Sequence, residues 1–138
     1  MSLNQFKTRL AASSAFSEIS RLWQDSSGIS LKNTSGSYIS FLSYCLIQEK
    51  NGNHLFILPD KEEALYFFND LENLFNSERG TTLLFYPASY RRPYQIMDSD
   101  ATSVLQRTEV LDALGKERKK LIVVTYSEAI VEKVIEKK

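Results

Sequence analysis

The stretch from Leu55 to Glu63 has the sequence LFILPDKEE and predicts a strand, its end and the start of a helix. Four consecutive apolar residues are typical of a strand buried on both faces, as in a parallel sheet. Pro59 ends this strand because proline has no N–H to donate to a neighbouring strand. Asp60 and Glu63 resemble a capping box with Asp60 as the N-cap. The stretch therefore predicts the first half of a βαβ crossover.

The same alternation of apolar runs and amphipathic segments continues on both sides of this stretch. Further short apolar runs at 29–31, 83–86 and 121–124 predict three more strands. Helices are predicted between them, because apolar residues recur there at helical spacing. We therefore expect an α/β fold, with a parallel sheet of about four strands and helices on both faces. The helix predicted after residue 100 contains Val104, Leu105, Thr108, Leu111 and Leu114 and is expected to end at Gly115.

The two ends of the chain are predicted to be helical. Residues 1–27 form a helical segment that packs on the α/β domain, with Phe16, Ile19 and Trp23 on its apolar face and a break near Ser13. Ser127 can cap a last helix. Because the charged end has no capping signal, we expect residues 1–138 to be a single α/β domain cut from a longer multidomain protein.

Composition and charge narrow the class of protein. The 138 residues suffice for one domain with a core, and 17 basic residues balance 17 acidic ones. A neutral chain has no global field that draws it to nucleic acid or to a membrane surface. The single cysteine, Cys45, lies in an apolar run and predicts a reduced core thiol. With no signal-peptide pattern and no apolar run of membrane-spanning length, the sequence favours a cytoplasmic protein.

A short polar turn before the helix predicted at 37–48 has the position of a phosphate-binding loop. Aligning G-x-x-x-x-G-K-[ST] on Gly36 places Leu31 at the first glycine, Ser37 at the lysine and Tyr38 at the magnesium-binding hydroxyl. One motif residue of four is present, so an ATPase is disfavoured. Either the turn is an ordinary capped helix entry, or it binds anions weakly through backbone N–H groups. The candidate residues of this degenerate nucleotide loop are Asn33, Thr34, Ser35, Gly36, Ser37 and Tyr38.

The most distinct group of basic residues is the adjacent pair Arg91 and Arg92, and Tyr94 follows it in the sequence. Arginines beside aromatic rings can bind nucleic acid through phosphate contacts and base stacking. The same residues can equally pair with carboxylates inside the domain or across an interface. These three side chains are candidate contacts for a partner or for nucleic acid.

Catalytic and metal sites have weak support in the sequence. His54, the only histidine, has no nucleophile or carboxylate next to it and is expected at a solvent-exposed strand end. Asp98 and Asp100 are explained more simply as helix caps than as metal ligands. An acidic pair after a buried strand, which ATP hydrolysis would require, is also missing. We therefore predict no catalytic residue, no metal site and no cofactor in this chain.

Three segments together resemble a known family. They run from Phe85 to Tyr90, from Gln106 to Leu114 and from Leu121 to Thr125, with Arg107 inside the second. In order and spacing they resemble the amino-terminal region of the bacterial transcription-repair coupling factors. That region is in turn similar to the first domain of the excision-repair protein UvrB. The resemblance covers residues 28–134, and it implies a P-loop-NTPase-like fold.

The resemblance also implies a function and a set of partners. Proteins of this family are ATP-driven DNA translocases that release stalled RNA polymerase and recruit UvrA for nucleotide excision repair. Their ATP and magnesium sites, and their contacts with polymerase and DNA, lie in other domains. UvrA is contacted mainly by an adjacent lobe, which is absent from this sequence. The resemblance thus implies a non-catalytic scaffold. The alternatives are a small nucleotide-binding enzyme and a DNA-binding module that uses Arg91, Arg92 and the basic segment 116–120.

Overall fold

A computed structural model of the chain describes residues 3–25, 27–76, 80–89, 101–116 and 120–132. Six helices and three strands lie in these ranges. In chain order they are α1 (Leu3–Ala11), α2 (Ser14–Asp25), α3 (Tyr38–Glu49), β1 (His54–Leu58), α4 (Lys61–Phe75), β2 (Thr82–Tyr86), α5 (Ala101–Leu114), β3 (Leu121–Tyr126) and α6 (Ser127–Val131). The α/β class predicted from the sequence is confirmed.

The three strands form a parallel sheet in the order β1-β3-β2. Leu55 of β1 is opposite Val123 of β3, which is also opposite Leu84 of β2. The central strand, β3, is buried along its whole length. Strands of this kind have neighbours on both sides and helices on both faces, which explains their continuous apolar sequence.

The helices α4 and α5 cover opposite faces of the sheet. Phe85 of β2 contacts Phe68 of α4, with ring centroids 5.6 Å apart. The next residue, Tyr86, lies under the guanidinium of Arg107 of α5, with 4.3 Å from Cζ to the ring centroid. Since successive side chains of a strand point to opposite faces, the two helices must lie on different sides. This arrangement agrees with two right-handed crossover connections. The first runs from β1 through α4 to the edge strand β2, and the second runs from β2 through α5 back to the central strand β3.

The amino-terminal helices pack on α3, which lies beside α4. Phe6 of α1 contacts Phe41 of α3 edge to face, with ring centroids 4.6 Å apart. Phe16 of α2 is buried in a second apolar cluster with Leu42 and Cys45 of α3. The predicted break near Ser13 is confirmed, because α1 ends at Ala11 and α2 begins at Ser14.

Local signals around β1 are also confirmed. β1 ends at Leu58, before Pro59, and α4 begins at Lys61. Asp60 is the N-cap of α4, and its Oδ1 accepts a 2.9 Å hydrogen bond from the backbone N–H of Glu63. The backbone N–H groups in the first turn of a helix have no partner within the helix, and this hydrogen bond satisfies one of them.

Two predictions about strands were wrong. Residues 29–31 have no regular secondary structure, so the described ranges contain three strands rather than four. β1 is also not buried on both faces, because Leu55 and Ile57 are 61% and 56% exposed. Both side chains point to the face that α5 covers, but α5 packs on β2 and β3. Two apolar side chains of β1, those of Leu55 and Ile57, are therefore not covered by the described residues.

One prediction about helices was also wrong, that of a serine cap on α6. α5 is a helix as predicted, but it buries Ser103, Arg107, Val110 and Ala113 and leaves the apolar residues Val104, Leu105, Leu111 and Leu114 exposed. Ser127 does not cap α6. Its hydroxyl instead donates a 2.7 Å hydrogen bond to the carbonyl of Pro59, which ties the start of α6 to the end of β1.

Candidate functional site

The predicted nucleotide loop is a turn that leads into α3. Asn33 and Gly36 have φ angles of 61° and 56°. This left-handed region suits glycine and is tolerated by asparagine, so both residue types fit their positions. Ser37 is the N-cap residue of α3, although its side chain makes no capping hydrogen bond. The ordinary helix entry predicted as one alternative thus has no serine cap.

The turn lines a cavity of about 550 Å³ at the carboxyl end of β1. In parallel sheets, ligands commonly bind outside this end of the strands. Among the described residues, the lining includes two carboxylate residues, Glu63 and Asp70 of α4, and no lysine or arginine. The loop residues that contribute to it are Thr34, Ser35, Gly36 and Ser37. A phosphate placed here would meet negative side chains without a cation to balance them.

Asp70 lies against the amino-terminal turn of α3. Its Oδ2 accepts a 2.8 Å hydrogen bond from Oγ of Ser40, a buried residue in the first turn of that helix. The start of a helix favours a nearby negative charge, because its N–H groups and macrodipole point that way. The protein's own carboxylate thus lies beside the helix start at which an anion would bind.

The other candidates from the sequence fall in different places. Arg91, Arg92 and Tyr94 lie outside the described residues. Cys45 is buried, and burial raises the pKa of its thiol, as expected for a core cysteine. His54 begins β1, as predicted, but it is half-buried rather than solvent-exposed, and its buried Nε2 has no hydrogen-bond partner among the described residues. Burial lowers the pKa of His54, which favours the neutral imidazole.

A second polar cluster joins the carboxyl ends of β2 and β3 through Arg107. Its Nη1 donates to the carbonyl of Pro87 at 2.8 Å and lies 3.1 Å from Oε2 of Glu132, just after α6. The side chains of Arg107 and Glu132 are 9% and 22% exposed. Glu132 also accepts hydrogen bonds from the backbone N–H and the hydroxyl of Ser89. The cluster fixes the loop after β2 to the end of α6.

The environment of Glu132 favours its charged form. Burial alone raises the pKa of its carboxyl group, but the two hydrogen bonds from Ser89 and the charge of Arg107 outweigh that effect. The pKa in the folded chain therefore lies below the ordinary carboxyl value.

This shift predicts how stability changes with pH. Because the folded pKa of Glu132 is the lower one, its contribution is complete above the ordinary carboxyl pKa and is lost as pH falls through the folded value. We expect Glu132→Gln to flatten this part of the curve of unfolding free energy against pH, measured by urea denaturation between neutral and acidic pH. An acid dependence identical to that of the natural chain would contradict the assignment.

Sequence reasoning did not find either set of polar contacts. Asp70 is thirty residues from Ser40 and Glu132 is far from Ser89, so no local pattern joins them. One signal for the second cluster was present: Arg107 lies on the same helical face as Ser103 and Val110, which are buried. A charged residue among small and apolar ones on one face needs a buried partner.

Comparison of the chain with protein-family models, with curated proteins and with solved structures gives no match in any of the three. Within the described ranges, no three potential metal-ligand side chains come together. None of the helices in those ranges is long and apolar enough to span a bilayer.

Proposed function

We propose that this chain is a non-catalytic scaffold, the amino-terminal UvrB-like piece of a transcription-repair coupling factor. The observation that supports this most directly is the cavity beside the loop of residues 33–38. It has the location of a nucleotide site, but Glu63 and Asp70 line it and none of the basic side chains in the described ranges does. The loop also lacks the lysine that would reach the outer phosphates.

Electrostatic repulsion favours a loop that has lost nucleotide binding over one that still binds nucleotide weakly. Phosphates carry several negative charges, and like charges within a few ångströms repel strongly in a partly buried site. Since Asp70 already interacts with the first turn of α3 through Ser40, an incoming phosphate would have to displace or protonate it. Backbone N–H groups alone would have to compensate for both effects.

The role of the scaffold follows from the resemblance in sequence. In such a protein, ATP and magnesium would bind in separate motor domains, and RNA polymerase and DNA would contact other domains. UvrA would be recruited through an adjacent lobe. The exposed apolar residues Leu55, Ile57, Leu105 and Leu114 are compatible with a piece that packs against neighbouring domains.

Titration of the chain with Mg-ATP in a calorimeter tests this proposal. We expect no saturable heat from the natural chain, because the loop lacks its lysine and faces carboxylates. The comparison variant rebuilds the loop with Leu31→Gly, Ser37→Lys and Tyr38→Thr and removes one carboxylate with Asp70→Asn. We expect this variant to bind more tightly than the natural chain.

Binding of Mg-ATP by the natural chain with a Kd on the order of 1 μM would contradict the scaffold proposal. In that case the alternative of a nucleotide-binding module would be favoured. Circular dichroism of every variant checks that the loop changes have not unfolded the domain. The variant carrying Asp70→Asn alone separates the effect of the carboxylate from that of the missing lysine.

A further inference from the structure

Strand β1 has a free edge. It pairs with β3 on one side, and no strand of the described ranges pairs with the other side. Alternate backbone N–H and C=O groups of an edge strand point outward and are available to another strand. Leu55 and Ile57 add an exposed apolar row along this strand. Exposed apolar edge strands are rare unless something pairs with them.

An apolar cavity of about 280 Å³ lies along the same strand. Three consecutive β1 residues, Phe56, Ile57 and Leu58, contribute to its lining. Trp23 of α2 and Leu31 of the loop before α3 also line it. A strand added at a sheet edge needs both free backbone groups and pockets for alternate side chains. β1 offers the first, and the adjoining cavity offers the second.

The cavity has a positively charged side chain in its described lining. Of the described residues that line it, Lys50 is the one with a full charge at neutral pH, since burial lowers the pKa of the half-buried His54. In the part of the chain that the structure describes, no carboxylate residue lines the cavity and Lys50 makes no ion pair. A complementary occupant would therefore combine an apolar body with one negative group near Lys50.

We propose that the free edge of β1 and the adjoining cavity bind an extended peptide segment. The segment pairs with β1 as an additional strand and places large apolar side chains, at alternate positions, in the cavity. A carboxylate near one end pairs with Lys50. A small apolar acid could fill the cavity and pair with Lys50, but it would make no hydrogen bonds with the backbone of β1 and would not cover Leu55 and Ile57. This site goes beyond the scaffold role and does not depend on it.

Trp23 provides the measurement, because it is the one tryptophan of the chain and lines the cavity. The probes are short synthetic peptides with valine, isoleucine, leucine or phenylalanine at alternate positions, threonine between them and one terminal glutamate. We expect a saturable blue shift of the Trp23 fluorescence, with a Kd on the order of 100 μM for the best peptide. Peptides of the same length and apolar residues, with proline in place of each threonine, should not bind, because they cannot pair with β1.

A charge exchange tests the orientation. We expect Lys50→Glu to weaken the glutamate peptide about fivefold, and a peptide with a terminal lysine to recover that loss. Lys61→Glu, an exposed change on α4 away from the cavity, should leave binding unchanged. Ile57→Lys on the exposed face of β1 should weaken all the peptides.

Three outcomes would overturn the proposal. The first is no fluorescence shift with any peptide of the panel. The second is equal binding of the proline-containing peptides or of decanoate, either of which would show an apolar pocket without strand pairing. The third is a shift that depends on protein concentration alone, with dimers in sedimentation, which would show that a second copy of the chain occupies the edge.

Discussion

Replacing Arg107 by methionine is expected to lower the free energy of unfolding by about 1–3 kcal/mol, the usual cost of leaving polar groups without a charged hydrogen-bond partner. Methionine keeps the apolar part of the side chain over Tyr86, so the loss reports the charge and its hydrogen bonds. Without the guanidinium, the carbonyl of Pro87 and the carboxylate of Glu132 lose their shared donor. Urea denaturation measures the change as a lower midpoint at constant slope.

A double-mutant cycle with Glu132→Gln is the control for this prediction. Because glutamine removes the charge that Arg107 balances, we expect the double variant to be more stable than the sum of the single effects implies. The exposed pair Lys116 and Asp112 on α5 provides a matched comparison, and Lys116→Met should cost less than about 1 kcal/mol. Equal losses for Arg107→Met and Lys116→Met would show that the buried cluster has no special role.

The second large effect is expected in α4. Leu71 is fully buried in the main core, so Leu71→Ala should lower the free energy of unfolding by about 2–5 kcal/mol through lost burial and a new cavity. The size depends on how far the neighbouring residues close the gap. The change in urea midpoint, with the slope as a check on two-state unfolding, gives the value.

Leu65→Ala, in the same helix, is the matched control, because Leu65 is 40% exposed. The helix propensity change is the same for both substitutions, so their difference isolates burial. We expect Leu65→Ala to cost less than about 1 kcal/mol. A similar cost at both positions would mean that α4 does not pack on the sheet as described.

Elements with a strong local signal were predictable from the sequence. The stretch 55–63 combines an apolar run, a proline and a capping aspartate, and each of these features has the predicted position in the structure. α4 was predicted from its repeated apolar spacing, because one wide face of that helix meets the sheet. In both places local chemistry and tertiary packing favour the same structure.

Other elements depend on neighbours that the sequence does not identify. α5 has apolar residues on more than one side, so their spacing did not show that the face with Arg107 turns inward. Residues 29–31 resemble a strand in composition, but the structure places no strand there to pair with β1. The loop at 33–38 was found from its pattern, whereas Asp70 and Glu63 reach its cavity from another helix.

The position of β3 in the sheet has a consequence for synthesis on the ribosome. β1 and β2 do not touch as paired strands, because β3 lies between them and comes last of the three in the chain. Until the ribosome has added Tyr126, the nascent chain lacks part of β3, the strand with which β1 and β2 both pair. Until then, apolar residues of β2 such as Phe85, which is buried in the folded chain, remain exposed to other chains and to chaperones. The sheet therefore cannot be completed before the last of its three described strands has been synthesised.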